Sequence, residues 1–512
     1  MVSFGKKPQV STISLGGFLK RAKIISFAVF RVDASPQLGG GHVIRCLSLA
    51  AAFTRAGWNC AIACSAQTVE MMSNLAESAH EILILDDFGS NEQDAITHHW
   101  PQGCSILVVD HYQKDISFET GMRIWADRIL VLDDLANRLH DCDFLLDQTL
   151  GRNKSDYMSL VPDHCTLLLG SHYALLRSQF FNMRKHALSS RSERTSINRI
   201  LVSMGASDPQ NVTNKVLQGI ALWNPNISID VVIGPGGPPL QADNKAGNIR
   251  ILKNVDDMAT LMAKADLAIG AAGTSSWERC CLGLPSLLII TADNQKMVAH
   301  QLEQAGAAII VGFHDMVSAI DISNAIQNLT VSVSDFQHMS QCAASVCDGL
   351  GHHHVLLSIL PQVIAADGKA VSLKLAMLAD TDLMYRWQSN PNLRKHSRQP
   401  LSPTYDEHVS WVEASLSNPR RMILLIMHAG ISVGILRFDK LNEANKYEIS
   451  ILIDDKYQGL GIASAALSLG RALHPSSQII AEVHIENKAS RTLFLNAGYV
   501  PIDETHYLSE PM

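Results

Sequence analysis

The sequence predicts an α/β chain: two successive parallel-sheet halves followed by a smaller α+β module. Strand-like apolar runs alternate with helix-like patterns over residues 24–180, as βα units do. The alternation breaks at the polar stretch Ser189–Ser196, restarts at Arg199, and changes character after Pro361. At 512 residues the chain exceeds one ordinary core, so two or three domains are expected, and the breaks divide it at 24–190, 197–362 and 370–512.

The first half is marked by apolar runs at Ala61–Cys64, Ile82–Leu85, Ile106–Val109, Ile129–Leu132 and Phe144–Leu146. The second is marked by Arg199–Gly205, Val231–Pro239 and Asp266–Gly270. Beyond the break at Ala365–Lys369 comes a strand at Val371–Leu375, with helices near 379–388 and 404–416. Strands follow at 422–428, 431–438 and 446–454.

Composition narrows the function classes. Hydrophobic content of 47%, charged content of 18% and a net charge of −7 describe a soluble globular chain with no electrostatic footprint for nucleic acid. No apolar run is long enough to span a membrane, and Lys20, Arg21 and Lys23 split the stretch that would imitate a signal peptide. A cytoplasmic protein is expected, with residues 1–23 as an extension of no assigned role. The ten cysteines show no metal-binding spacing, and none occurs after Cys347, which sets the last third apart. His352, His353 and His354 point in different directions along a helix or strand, so they read as a polar helix start and no metal is expected.

The segment running from Arg31 through Gly39, Gly40 and Gly41 to His42 and Arg45 carries the chemistry. A strand ends in a glycine turn and a helix opens at once, so its free N–H groups suit a phosphate. His42 and Arg45, three residues apart, share a helix face. Taken alone, the pattern fits a capped α/β turn as well as it fits a site. It resembles the signature of hydrolases that remove UDP from UDP-2,4-diacetamido-2,4,6-trideoxy-β-L-altropyranose in pseudaminic acid biosynthesis. Similar segments are VVDHY at 108–112, LDDLANRLHDCDFLLDQ at 132–148, MGASDPQNVT at 204–213, AGTSSWERCCLGLP at 272–285 and ADNQ at 292–295. The resemblance covers roughly residues 25–360.

That resemblance implies a GT-B architecture, two Rossmann-like domains with a nucleotide sugar between them. It makes His42 the general base of an inverting, metal-free cleavage of the C1–oxygen bond. A histidine at a helix N-terminus has its cation disfavoured by the dipole, which suits that task. Gly41, Arg45, Thr274, Ser275 and Ser276 are expected at the diphosphate, Glu278 at the ribose diol, and Asp110 and Tyr112 on the sugar side. Asn294 completes the expected substrate-binding set. Capping of a helix by Thr274–Ser276, with Glu278 favouring its dipole, explains the same residues without a ligand. His111, Asp133 and Asp134 read as solvated strand-end residues.

In the last module, Gln458-Gly-Leu-Gly-Ile-Ala463 follows a strand and opens a helix, and Glu482–Tyr499 follows about 20 residues later. Both resemble the GNAT acetyltransferases. The resemblance implies acetyl-CoA as co-substrate, its pyrophosphate on the amides of Gln458, Gly459, Leu460, Gly461, Ile462 and Ala463, and Asn487 at the CoA arm. Many GNAT enzymes carry an acidic tyrosine where this chain has Phe494, so Tyr499 or His484 is the substitute donor in range; Glu448 and Glu482 are candidate bases. The expected whole is a bifunctional enzyme that N-acetylates a UDP-linked 4-amino sugar and hydrolyses the UDP-diacetamido sugar. The competing expectations are a glycosyltransferase acting on an acceptor other than water, and a non-catalytic sensor of nucleotide sugar or acyl-CoA.

Overall fold

A computed structural model describes residues 26–35, 39–72, 75, 77–85, 92–205, 208–234, 237, 247–253 and 255–512. Residues 1–23, Pro36–Leu38 of the glycine turn, Ala206 and Ser207, and most of the expected Gly234–Pro239 turn lie outside them. The chain forms two compact units, one spanning Ser26–Thr54 and Trp58–Val355, the other built on Leu356–Met512.

The first unit holds two parallel sheets. One has the strand order Glu81–Leu85, Asn59–Ser65, Phe27–Val32, Ile106–Asp110, Ile129–Leu132, Phe144–Asp147, Thr166–Leu169. The other runs Ile249–Lys253, Ser228–Ile233, Arg199–Ser203, Leu267–Ala271, Ser286–Ile290, Ile309–Phe313. Each therefore carries the 3-2-1-4-5-6 order of a doubly wound fold, in which ligands lie beyond the carboxyl ends of the strands where the order reverses. The central strands are apolar throughout because helices cover both faces; Ile106–Val109 and Leu287–Ile290 are at most 1% exposed. The glycine turn with His42 follows the first strand of the first sheet, and the turn before Glu278 follows the fourth strand of the second. Both lie at strand carboxyl ends.

One boundary shifts. Ser189–Ser192 of the expected polar linker closes a 15-residue helix, Ser178–Ser192. Its Phe180 and Ala187 pack with Ala259, Met262 and Ala263 of the second half. Arg191, 4% exposed, donates to the carbonyls of Leu282 (2.8 Å) and Ala265 (2.7 Å). The polar composition that suggested a linker serves to satisfy helix-end and strand-end carbonyls, so this helix belongs to the second sheet's core.

The second unit is a mixed eight-stranded sheet in the order Val363–Ile364, Ala370–Leu375, Arg421–His428, Ile431–Lys440, Lys446–Ile453, Gln478–Glu482, His506–Ser509, Val500–Pro501. Its parallel neighbours among the described residues, Lys446–Ile453 and Gln478–Glu482, pair from Lys446/Gln478 to Ile449/Ala481, and beyond Ile449 the first stays paired only with Ile431–Lys440. The sheet begins before the expected residue 370. Val363 and Ile364 pair with Val371 and Ala370, and the Ala366 amide donates to the Leu460 carbonyl at 3.0 Å. No helix among the described residues is long and apolar enough to cross a membrane.

A fragment of residues 361–512 should fold cooperatively by itself. Starting at 370 removes an edge strand and the Ala366 contact, and should lower the thermal midpoint by about 5 °C or more. Equal midpoints would place Val363–Ala366 outside the fold.

Candidate functional site

The strand Phe27–Val32 delivers the chain to the turn, and the helix Gly41–Arg55 starts within it. Gly39 takes a left-handed φ of +72°, and its N–H donates to the Ser35 carbonyl at 2.7 Å. A Cβ on Gly41 would sit 3.3 Å from Thr274 Oγ1, so the glycine turn and the second half's small-residue turn face each other at close range.

His42 and Arg45 converge on one buried carboxylate. Asp110, 1% exposed at the end of the strand Ile106–Asp110, accepts from Arg45 Nε at Oδ2 and from Arg45 Nη2 at Oδ1, each at 2.6 Å. His42 Nδ1 lies 2.6 Å from the same Oδ1. Burial pushes the Asp110 pKa up, but Arg45 and His42 more than reverse it, and the carboxyl is held well below its usual range. An ionised carboxylate only accepts, so His42 Nδ1 carries the hydrogen and donates it. In the neutral ring Nε2 then keeps its lone pair, and no protein group among the described residues bonds to it. The Arg45 Nη2 approach to Nδ1, at 3.1 Å, is donor against donor and adds no bond. Tyr112 stands edge-on to the His42 ring, with centroids 4.7 Å apart.

Two expectations change here. Arg45, 4% exposed, gives its charge to Asp110 and to Asp134 (3.2 Å), so it is a buried counter-ion and not a phosphate clamp. Asp110 has both oxygens occupied inside the protein and does not line the sugar side. Of the strand-end residues expected in solvent, Asp133 and His111 are buried and Asp134 is partly buried. Asp133 pairs with Arg138 at 2.6 Å and accepts from the Tyr157 hydroxyl at 2.9 Å. His111 accepts the Gln113 N–H at Nδ1 (3.0 Å) and meets Asp33 at Nε2 (3.2 Å), which leaves neither nitrogen for chemistry. Asp33 in turn pairs with Arg31, which binds Glu92. Sequence reasoning missed this second His–Asp pair, although both partners stand in the motifs RVDAS and VVDHY. Tyr112 is half-buried; its pKa is raised by burial and by the Asp134 carboxylate.

In the second half, the strand Leu267–Ala271 feeds the turn and the seven-residue helix Ser275–Cys281. Thr274 is exposed, Ser275 half-buried, and Glu278 partly open at 15% side-chain exposure, 3.5 Å from Arg177. Burial raises the Glu278 pKa against the pull of Arg177 and Arg279. Ser276 departs from expectation: it is 1% exposed and its hydroxyl accepts from Arg279 at 2.9 Å, so it braces the helix from within. Asn294 is exposed in the turn Asp293–Gln295. Arg177 was not singled out in sequence, because its partner lies 101 positions away.

In the second unit, Gly459 and Gly461 both take left-handed φ, +79° and +78°, and the helix Ile462–Leu473 starts at once. A Cβ on Gly459 meets nothing within 4 Å, whereas one on Gly461 would lie 2.9 Å from the Ala366 nitrogen and Cβ. Gly461 is therefore required by packing, and Gly459 faces open space. Gln458 Nε2 donates to the Ile453 carbonyl at 3.0 Å. Leu460 and Ala463 are partly exposed, but Ile462 is 1% exposed, so only its backbone can face a ligand. Asn487 caps the helix Lys488–Asn496 through a bond from the Ser490 N–H at 3.1 Å.

Glu448 and Glu482 meet on a single guanidinium, with Arg398 2.9 Å from Glu448 and its Nε 2.7 Å from Glu482. Phe494, 3% exposed, packs against Tyr499. Tyr499 is equally buried, its hydroxyl has no partner among the described residues, and burial pushes its pKa up to about 12, which makes it a weaker acid. His484 is exposed; its Nδ1 accepts the Glu486 N–H at 3.3 Å. His396, His484 and Glu486 bring ligand atoms within 4.8 Å of one another.

Comparison with known proteins separates the two units. Residues 183–348 match the glycosyltransferase family 28 C-terminal domain, and residues 371–500 match the acetyltransferase (GNAT) domain. The N-terminal part is family-28-like and the C-terminal part is GNAT. An uncharacterised protein of Methanocaldococcus jannaschii is 24% identical over 83% of this chain and 85% of its own length. The UDP-2,4-diacetamido-2,4,6-trideoxy-β-L-altropyranose hydrolase of Campylobacter jejuni is 25% identical over 54% of this chain and 96% of its own. MurG of Acinetobacter baumannii is 12% identical, with a TM-score of 0.47 over 65% of this chain and 98% of that one.

Removing Asp110 strands a buried guanidinium beside His42. Asp110→Ala should destabilise the first unit by about 3–5 kcal/mol in denaturant unfolding of the full chain. A loss below about 1 kcal/mol would mean that the network carries no structural weight.

Proposed function

We propose that the first unit hydrolyses a UDP-2,4-diacetamido-2,4,6-trideoxyhexose to free sugar and UDP, and that the GNAT unit N-acetylates its UDP-4-amino precursor from acetyl-CoA. The observation that carries the hydrolase reading is the His42–Asp110 pair set in a glycine turn opposite Thr274. His42 Nε2 takes a proton from water as the water oxygen bonds to C1. The C1–oxygen bond breaks on the opposite face, and UDP leaves with the electron pair. Asp110 stabilises the imidazolium that forms, and Arg45 keeps Asp110 ionised. Glu278 receives the ribose diol. The hydrolase relative supports the substrate class.

In the GNAT unit the pyrophosphate of acetyl-CoA lies on the amides of the 458–463 turn, with the helix Ile462–Leu473 behind it. The acceptor amine attacks the thioester carbonyl near the end of the ladder at Ile449/Ala481 and gives its proton to Glu448 or Glu482, as the carbon–sulfur bond breaks and the CoA thiolate leaves. His484 supplies the thiolate proton that Phe494 cannot. The glycosyltransferase reading is kept in play by the family 28 match, and product identity separates the two.

His42→Ala should cut UDP release by about 10²–10⁴-fold and leave UDP affinity within a few-fold. NMR of the products should show a free reducing sugar; near-normal turnover in the variant, or sugar transferred to another acceptor, contradicts the reading. Glu278→Ala should weaken UDP binding by about 1.5–3 kcal/mol. Because burial raises the Glu278 pKa, the ionised form that accepts from ribose is lost earlier on acidification than for an ordinary glutamate. Wild-type UDP affinity should therefore fall as pH drops from 7 to 5, and Glu278→Gln should flatten that dependence; calorimetry measures both.

A further inference from the structure

Arg279 occupies the helix Ser275–Cys281 directly beneath the turn that precedes it. The residue is 2% exposed. Its Nη2 donates to the Ala271 carbonyl at 2.8 Å and to Ser276 Oγ at 2.9 Å, and its Nη1 lies 3.5 Å from Ser275 Oγ. Nε is buried with no partner among the described residues. Gly270 makes the room, since a Cβ there would fall 2.7 Å from Nη1 and 2.6 Å from the Ser203 carbonyl.

This guanidinium has no directly paired carboxylate among the described residues, and Glu278 acts on it only from beyond 4.0 Å. Among the described residues no carboxylate lies within 4.0 Å of it, and Glu278, its chain neighbour, is paired with Arg177 at 3.5 Å. Three other arginines of this unit with largely buried side chains are neutralised, while Arg191, equally buried, is held by carbonyls alone. Arg31 meets Asp33 and Glu92, Arg45 meets Asp110 and Asp134, and Arg152 meets Asp147. Carbonyl and hydroxyl oxygens satisfy donors but bring no net negative charge, and an uncompensated buried ion is unfavourable.

We propose that Arg279 is a positioning residue whose missing counter-charge is the diphosphate of a nucleoside diphosphate seated over the turn 271–276. The assignment rests on the nucleotide-sugar reading and adds to it the source of positive potential that Arg45, spent on Asp110, does not provide. Burial pushes the Arg279 pKa down to about 10, which still leaves a full charge at neutral pH. Shielded from solvent, that charge is little screened by salt. It favours the state in which the C1–oxygen bond has parted and the diphosphate has gained negative charge. It touches the turn, not the ligand, so its influence is a field effect that scales with ligand charge.

Calorimetry on the full-length protein with UDP, uridine and inorganic pyrophosphate tests this. Arg279→Gln should weaken UDP about tenfold and uridine less than twofold; Arg279→Lys should recover most of the loss. A structural defect alone would lower both ligands together, and that result, or an unchanged UDP-to-uridine ratio, overturns the assignment. Should Arg279→Gln not fold, wild type and Arg279→Lys carry the test. Inorganic pyrophosphate should raise the thermal midpoint of both, and no rise in either contradicts the proposal. If the wild type binds neither UDP nor pyrophosphate, the nucleotide-sugar reading fails and takes Arg279 with it; if it binds UDP but Arg279→Gln leaves the ratio unmoved, only the Arg279 assignment fails.

Discussion

One carboxylate, Asp110, accepts two hydrogen bonds from Arg45 and one from His42 with almost no access to solvent. Three constraints follow from that meeting. The helix Gly41–Arg55 is tied to the end of the strand Ile106–Asp110, because parting them would leave opposite charges buried and unpaired. The ionised state of Asp110 is fixed by the guanidinium, which decides which His42 nitrogen carries the hydrogen. The loop after the strand Ile129–Leu132 is drawn in through Asp134, which takes the remaining face of Arg45. Gly41 meanwhile brings the helix start close to Thr274, where a Cβ would make a tight 3.3 Å contact with its hydroxyl. The geometry proposed for catalysis is therefore the geometry that closes the fold.

Much of the architecture was legible because both parallel sheets bury their strands on two faces, and such strands read as unbroken apolar runs. Ile106–Val109 and Ile129–Leu132 needed no further information. The glycine turns were equally plain, since Gly39, Gly459 and Gly461 take backbone angles other residues resist. What stayed hidden was pairing at a distance. Arg45 reads as a phosphate ligand three residues from His42, and only Asp110, 65 positions later, shows that its charge is spent. Ser276 reads as a diphosphate hydroxyl until Arg279 is seen to occupy it. The polar run Ser189–Ser196 reads as a linker because composition cannot show that Arg191 is buried against the carbonyls of Ala265 and Leu282.

The GNAT unit repeats the lesson in a milder form. Its turn and closing helix were recognisable by spacing, yet Gly461 answers first to the Ala366 backbone and Gly459 is the residue that faces open space. Phe494 and Tyr499 fill the interior together, whereas His484 is exposed. On the proposed reading, both units place a glycine turn at a strand end to receive a phosphate-bearing ligand, backed by buried charge in the first unit and by a 12-residue helix in the second.

The central claim is that Asp110 holds His42 as the Nδ1–H tautomer, with Nε2 free to act as a base. Nitrogen NMR of histidine-labelled protein, with the His42 signals assigned by difference against His42→Gln, measures this directly. In the neutral ring Nδ1 should show the shift of a protonated nitrogen and Nε2 that of an unprotonated one, and Asp110→Asn should disturb that preference. A neutral His42 protonated at Nε2, or a tautomer indifferent to Asp110→Asn, would contradict the account.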